Sequence, residues 1–310
     1  METNKMKYVI GVDIGGTHLR VGAVTPDKEL HFFEKKKIAD ILDNLHPVES
    51  LIQFLDGFIQ ANLGNSDVLG IGMGFPSVVS KDKKRVLATT NLNINDINIA
   101  DPIQDYFRVP VVIENDVNHL LHYEISQRNV LDDEIVLGFY IGTGFGNSIY
   151  INNRFLDGKN GAAGELGHIP VLGDEAVCQC GNTGCIETYA SGKTLVLLHQ
   201  EYFSDVTFED VFTKYANSEH IVKFIKSLAV PIATEINIFD PHLVMIGGGV
   251  VGMKDFPKSQ LENEIIRYCR KPYPANGLVI EYAEDTNAAG VLGAAANLYD
   301  NYIGKSISTR

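Results

Sequence analysis

Two stretches of this chain share a pattern that few folds accommodate: an apolar, β-rich run, a glycine-rich turn and a second β-rich run. The first is Tyr8 to Ile14, the turn Gly15-Gly16-Thr17, and Leu19 to Val24. The second is Ile135 to Ile141, the turn Gly142-Thr143-Gly144-Phe145-Gly146, and Asn147 to Ile151. Strand character resumes directly after each turn, so each is expected as a hairpin, whereas the glycine loop of a dinucleotide-binding unit opens a helix. Glycines in such a hairpin leave backbone N–H groups uncovered for an anion. In the first turn Asp13 and Thr17 add a carboxylate and a hydroxyl for a metal or phosphate. A plain tight hairpin would use the same residues. The recurrence at equivalent places is what favours two related halves, each with a backbone cradle for phosphate. A third glycine run, Gly247-Gly248-Gly249, follows the predicted strand Leu243 to Ile246.

Between these turns the periodicity predicts helices over 48–61, 101–107, 117–126, 192–202, 208–216, 218–239, 258–269 and 288–299, with Pro231 kinking the long one. Further strands are expected at 30–37, 68–75, 109–113 and 278–282. The polar, Asn-rich segment 80–98 reads as an extended surface loop. Glu114-Asn115-Asp116 stands where a strand passes into a helix; an acid there is an ordinary N-cap or a group presented at a site. Gly290 and Gly293 cost the last helix about 1 kcal/mol each relative to Ala, so a flat ligand or another helix is expected close to them.

The segment Gly161-Ala162-Ala163-Gly164-Glu165-Leu166-Gly167-His168 is followed by Cys178-Gln179-Cys180-Gly181-Asn182-Thr183-Gly184-Cys185-Ile186-Glu187. It holds three of the four cysteines and one of the nine histidines. Buried reduced cysteines beside a core histidine are the plain alternative. Three thiols so close together, with glycines that let the backbone fold tightly, match a closed tetrahedral Zn²⁺ site of His168, Cys178, Cys180 and Cys185. With every position filled by protein the zinc is expected to be structural. Glu165 and Glu187, at the two ends of the knot, would be held in a fixed relation that suits a binding site.

The net charge of −13 over 310 residues argues against nucleic acid or an anionic membrane as partner. No apolar run reaches the roughly 18 residues of a membrane span. There is no signal-peptide pattern, and the cysteine usage fits a reducing compartment, so a cytoplasmic protein is expected.

Taken together, Asp13-Ile14-Gly15-Gly16-Thr17, Glu114-Asn115-Asp116, Gly142-Thr143-Gly144-Phe145-Gly146, Gly164-Glu165-Leu166-Gly167-His168 and the Cys178 to Glu187 segment resemble the ROK (repressor, open reading frame, kinase) family over nearly the whole chain. The resemblance implies an α/β chain with the actin-like, ribonuclease H-like ATPase fold of sugar kinases, acetate kinases and heat-shock ATPases. It implies two domains around a central cleft: a small one over 1–115, completed by the C-terminal helix at about 288–302, and a larger one over 116–287 with the zinc knot. It further implies a sugar kinase using ATP and Mg²⁺. Asp116 would be the general base, and Asn91, Asn115, Glu165, His168 and Glu187 would bind the sugar. Asp13, Gly15, Gly16, Thr17, Gly142, Thr143, Gly144 and Gly146 would hold the phosphates, and Gly247, Gly248 and Gly249 the adenosine. The chain would associate as a homodimer.

For the sugar, Gly74 to Lys83, Phe239-Asp240-Pro241 and Gly247 to Val250 look similar to the allose kinases of the family. Asn115 departs from them, since an allose kinase carries Arg there and glucose-type kinases Asn. Glucokinase and N-acetylmannosamine kinase are the alternatives within the family. A sugar-responsive repressor or a non-catalytic sugar-binding protein is the alternative from another class. The repressors carry a winged helix-turn-helix before the first glycine turn, and here only a dozen residues precede Asp13.

Overall fold

The computed structural model describes residues 5–43, 45–89, 92, 94–173, 175–284 and 286–304. In chain order the first elements are β1 (Lys7–Ile14), β2 (His18–Val24), β3 (Leu30–Lys37), α1 (Pro47–Asn62), β4 (Asp67–Phe75), β5 (Ser77–Val79), β6 (Arg85–Thr89) and β7 (Ile97–Asn98). They are followed by α2 (Ala100–Phe107), β8 (Val111–Asn115), α3 (Asp116–Ser126), β9 (Val136–Ile141), β10 (Phe145–Ile151) and β11 (Arg154–Phe155). After the cysteine-rich segment come α4 (Gly192–Tyr202), α5 (Val211–Tyr215), α6 (Glu219–Phe239), β12 (Leu243–Gly247), α7 (Lys258–Tyr268), β13 (Ile280–Tyr282) and α8 (Ala289–Leu298). The chain divides into two compact units. One comprises Met1–Asn129, Asp157–Ala162 and Thr286–Arg310, the other Val130–Leu156 and Ala163–Asp285. The boundary expected at 115/116 falls inside the first unit, where β8 meets α3.

In the first unit the sheet order is β3-β2-β1-β4-β8, with β2 antiparallel to both β1 and β3, and β4 and β8 parallel to β1. As the central strand, β1 is covered on both faces. Tyr8, Ile10, Val12 and Ile14 face a core built with Leu51, Leu55 and Phe58 of α1, while Val9 packs with Val291 and Leu298 of α8. That two-sided burial explains why β1 reads as a continuous apolar run. Gly11 and Gly72 lie under α8 with no room for a side chain, because a Cβ would stand 2.0 Å from the Val291 carbonyl oxygen and 2.3 Å from that of Ala294.

The sheet of the second unit repeats this plan. Its order is β11-β10-β9-β12-β13, with β9 to β11 antiparallel and β12 and β13 parallel to β9. The core joins Leu137, Phe139 and Ile141 of β9 to Phe224, Leu228, Ile232 and Ile236 of α6, with Leu261 and Ile265 of α7 behind. Pro231 lies buried within α6, which is assigned as one helix through it. Among the described residues no helix is long and apolar enough to cross a membrane.

Segment 80–98 differs from the surface loop expected of it. β5, β6 and β7 form a third, antiparallel sheet, and Val86 of β6 is buried in the core of the first unit together with Leu92 and Ile94. Each strand is two to five residues long, too short for alternation to rise above the Asn-rich composition.

Candidate active site

Both predicted hairpins are present. In the first, the register runs to Ile14↔Leu19 and the Gly15 N–H closes the turn on the His18 carbonyl at 2.9 Å. Gly16 and Thr17 are exposed, and their amides make no hydrogen bond among the described residues. Asp13 ends β1 beside the turn. Burial raises its pKa, against the pull of Arg20, whose Nη1 donates to Asp13 Oδ2 at 2.8 Å. The predicted close approach at Gly290 and Gly293 has two different causes. A Cβ on Gly290 would meet the Asp13 carboxyl carbon at 2.7 Å, and one on Gly293 the α3 backbone at His119 O, 1.9 Å away.

Asn115 and Asp116 stand where β8 passes into α3. Asn115, not Asp116, is the N-cap: its Oδ1 accepts the Val117 N–H at 3.0 Å while its Nδ2 donates to the Ser77 carbonyl at 3.1 Å. Asp116 is the first helical residue, half-buried, at the positive end of the helix dipole. Asn91 lies outside the described residues.

In the second unit the β9–β10 turn is gripped from two sides. The carbonyls of Gly142 and Thr143 accept the N–H groups of Gly192 and Lys193 at the start of α4, at 2.8 and 3.2 Å. Glu187 Oε2 accepts the Phe145 N–H at 3.1 Å and sits where any side chain of Gly144 would be, 2.1 Å from its Cβ position. The amides of Thr143 and Gly144 make no hydrogen bond among the described residues. Gly146 lies within β10, paired with Tyr140. Of the third glycine run, Gly248 is left-handed (φ 94°) and pressed on the end of β9, with a Cβ position 2.5 Å from Ile141 O. Gly249 has open space around it.

The cysteine-rich segment folds back on itself through Gly181 and Gly184, both at positive φ. Tetrahedral zinc, at about 2.3 Å from sulfur and 2.0–2.1 Å from nitrogen, requires S···S separations of about 3.8 Å and N···S of about 3.5 Å. Cys180 and Cys185 Sγ lie 3.7 Å apart, and Cys178 Sγ lies 3.5 Å from His168 Nδ1. All four ligand atoms fall within 4.8 Å of one another. The donor set and spacing fit zinc, and the cysteines are unbridged. The second ring nitrogen of His168, Nε2, lies 3.7 Å from Glu165 Oε2. Desolvation raises the Glu165 pKa, His168 opposes this, and the nearby Glu187 charge raises it further. Glu165, His168 and Glu187 therefore form one cluster beside the metal-type site.

Two groups were not found by sequence reasoning. Lys83 makes ion pairs with Glu114 at 2.8 Å and Asp157 at 2.6 Å. Glu235, buried in α6, accepts Asn147 Nδ2 at 2.7 Å and is pushed up to about 7 by burial, against that hydrogen bond. Both depend on partners more than 30 residues away and leave no local pattern.

Two five-stranded sheets of the same order, each with an open glycine hairpin between its first antiparallel strands, define an actin-like ATPase fold. The chain belongs to the ROK family, whose model matches residues 9–300. It is similar to a glucokinase of Halalkalibacterium halodurans (28% identity, 93% of each chain) and an N-acetyl-D-glucosamine kinase of Pectobacterium carotovorum (27%, 94% of this chain and 99% of the relative). A ROK family glucokinase from Streptomyces griseus, solved with glucose and AMPPNP, superposes with a TM-score of 0.77 at 25% identity over 93% of this chain and 98% of that one.

Proposed function

We propose that the chain is an ATP-dependent sugar kinase that transfers the γ-phosphoryl group to the 6-hydroxyl of a hexose, with D-allose preferred. The observation that carries the kinase reading is the pair of glycine hairpins with open amides at matching places of matching sheets, one of them beside the half-buried carboxylate Asp13. Phosphoryl transfer asks mainly for positioning and charge stabilisation, which free backbone N–H groups supply. Mg²⁺ bound with ATP would neutralise charge developing on the phosphates, near Asp13.

Asp116 takes the proton of the attacking hydroxyl, a role worth typically about 10²–10⁴-fold. Glu165, His168 and Glu187 bind sugar hydroxyls, with Asn115 beside the base; Asn91 is assigned to the sugar by resemblance. Zn²⁺ on His168 Nδ1 and the three thiolates would fix the ring tautomer, leaving Nε2–H as a donor. The glucokinase and N-acetylglucosamine kinase relatives support a hexose acceptor. The similarity of residues 74–83, 239–241 and 247–250 to allose kinases supports allose, whose axial 3-hydroxyl distinguishes it from glucose. A homodimer is supported by resemblance, and sedimentation tests it.

The test is kcat/KM with Mg-ATP on allose, glucose, mannose, N-acetylglucosamine and N-acetylmannosamine. Allose is expected to lead by tenfold, about 1.4 kcal/mol of discrimination. Glucose leading would reassign the specificity to Asn115. Binding without turnover on any sugar would replace the kinase reading by that of a sugar-binding regulator.

A further inference from the structure

The turn between β5 and β6 ends in an unexpected residue. Lys83, whose N–H closes the turn on the Ser80 carbonyl at 2.8 Å, is left-handed at φ 58°, a conformation that glycine or asparagine adopts at lower cost. Its ammonium is buried, with the side chain 12% exposed, and lies between Glu114, 6% exposed, and Asp157. Burial works against the charge, but the two carboxylates outweigh it and hold the amine above the ordinary lysine range. A strained backbone and a buried ammonium at one residue are two separate costs, and surface turns do not need either.

What the ammonium joins gives the reason. Glu114 binds Lys83 through Oε2, and its Oε1 accepts the Asn115 N–H at 2.9 Å and Asn118 Nδ2 at 3.1 Å. The Lys83 carbonyl also accepts the Ile113 N–H at 3.0 Å, so β8 is held by main chain and side chain together. Asp157 begins the stretch Asp157–Ala162, which belongs to the first unit although the chain on either side belongs to the second. Gly161 in that stretch lies against β5 so closely that a Cβ would stand 1.9 Å from Val79 O. The chain leaving it runs directly into Gly164-Glu165.

We propose that Lys83 is a positioning residue. It ties the Asp157–Ala162 strap, which leads into the sugar-binding Glu165, to the Glu114 carboxylate that orients the Asn115–Asp116 turn. The role rests on the kinase reading above, but the tie itself does not. Lys83→Met keeps the length and removes the charge, leaving Glu114 buried without a counter-ion. Asp157→Asn frees the strap alone.

Hydrogen exchange followed by mass spectrometry on the full chain reads the tie without any assumption about activity. Lys83→Met is expected to speed exchange at least tenfold both in 113–118 and in 157–162. Asp157→Asn, the variant to rely on if Lys83→Met does not fold, is expected to do so in 157–162 and at the β5–β6 turn. Unchanged exchange in these segments overturns the proposal whatever the catalysis shows. With the best sugar, Lys83→Met is expected to lower kcat at least tenfold at unchanged KM for ATP, and Lys83→Arg to restore most of it. Asp157→Asn is expected to raise the sugar KM at least fivefold with kcat kept. A wild type that turns over sugar beside a folded Lys83→Met with kcat within twofold of it also overturns the proposal. A wild type inactive on every sugar refutes the kinase reading and leaves the exchange result to decide the tie.

Discussion

Gly144→Ala is the substitution whose consequence the geometry fixes most tightly. Gly144 is not in the left-handed region, so alanine is compatible with its backbone. The three atoms nearest the new methyl all belong to the Glu187 carboxylate, with Oε2 at 2.1 Å and Cδ at 3.0 Å. The carboxylate must leave, and with it goes the hydrogen bond from Phe145 N–H at 3.1 Å. A hydrogen bond to a charged group contributes about 1.5–3 kcal/mol, equivalent to roughly 10- to 150-fold in an equilibrium constant. If Glu187 binds sugar from that position, its own charged hydrogen bond to the sugar is lost as well, and sugar affinity falls by that range, more than nucleotide affinity does. Calorimetric titration of each ligand into wild type and variant, with melting temperatures as the check on folding, measures this. A variant that melts normally and binds sugar within twofold of wild type would refute the reasoning, because Glu187 would then not be acting from the place this turn gives it.

Asp116→Asn is expected to lower kcat by about 10²–10⁴-fold with sugar binding within threefold; retention of more than a tenth of the turnover would remove Asp116 as the base. Zinc analysis is expected to give one equivalent per chain, and chelation to weaken sugar binding more than nucleotide binding; a chelated, folded sample with unchanged sugar affinity would contradict the placement of His168. Glu235 supplies a pH prediction. Its folded pKa of about 7 lies above the ordinary 4.5, so the folded state binds the proton more tightly. The carboxyl's contribution to stability is therefore greatest at low pH and is lost as pH rises from about 4.5 to about 7, by up to about 3 kcal/mol. Glu235→Gln is expected to remove that slope and to be the more stable protein at pH 8; parallel stability–pH curves for the two proteins would count against it.

The parts of the molecule written in contiguous residues were legible in the chain. Both hairpins, the long amphipathic helices, the strand-to-helix passage at Glu114–Asp116 and the grouping of His168 with Cys178, Cys180 and Cys185 depend on glycine placement, periodicity and ligand spacing. These act over a few residues, so the sequence carries them before anything packs. The β5–β7 sheet was not legible, because its strands are short and what sets them apart from a polar loop, their pairing and the burial of Val79 and Val86, arises only on packing.

Tertiary structure alone decided what each site residue does with its atoms. Asn115, read as a sugar ligand, also caps α3, and Asp13 meets Arg20 across the hairpin. Gly144 turns out to be small because Glu187 occupies its side-chain space, and Lys83 is buried because Glu114 and Asp157 arrive from elsewhere in the chain to meet it. Each of these depends on a distance between groups that chain folding brings together. A sequence specifies which groups can form a hydrogen bond or ion pair, but their partners are set only when sheets and helices have packed.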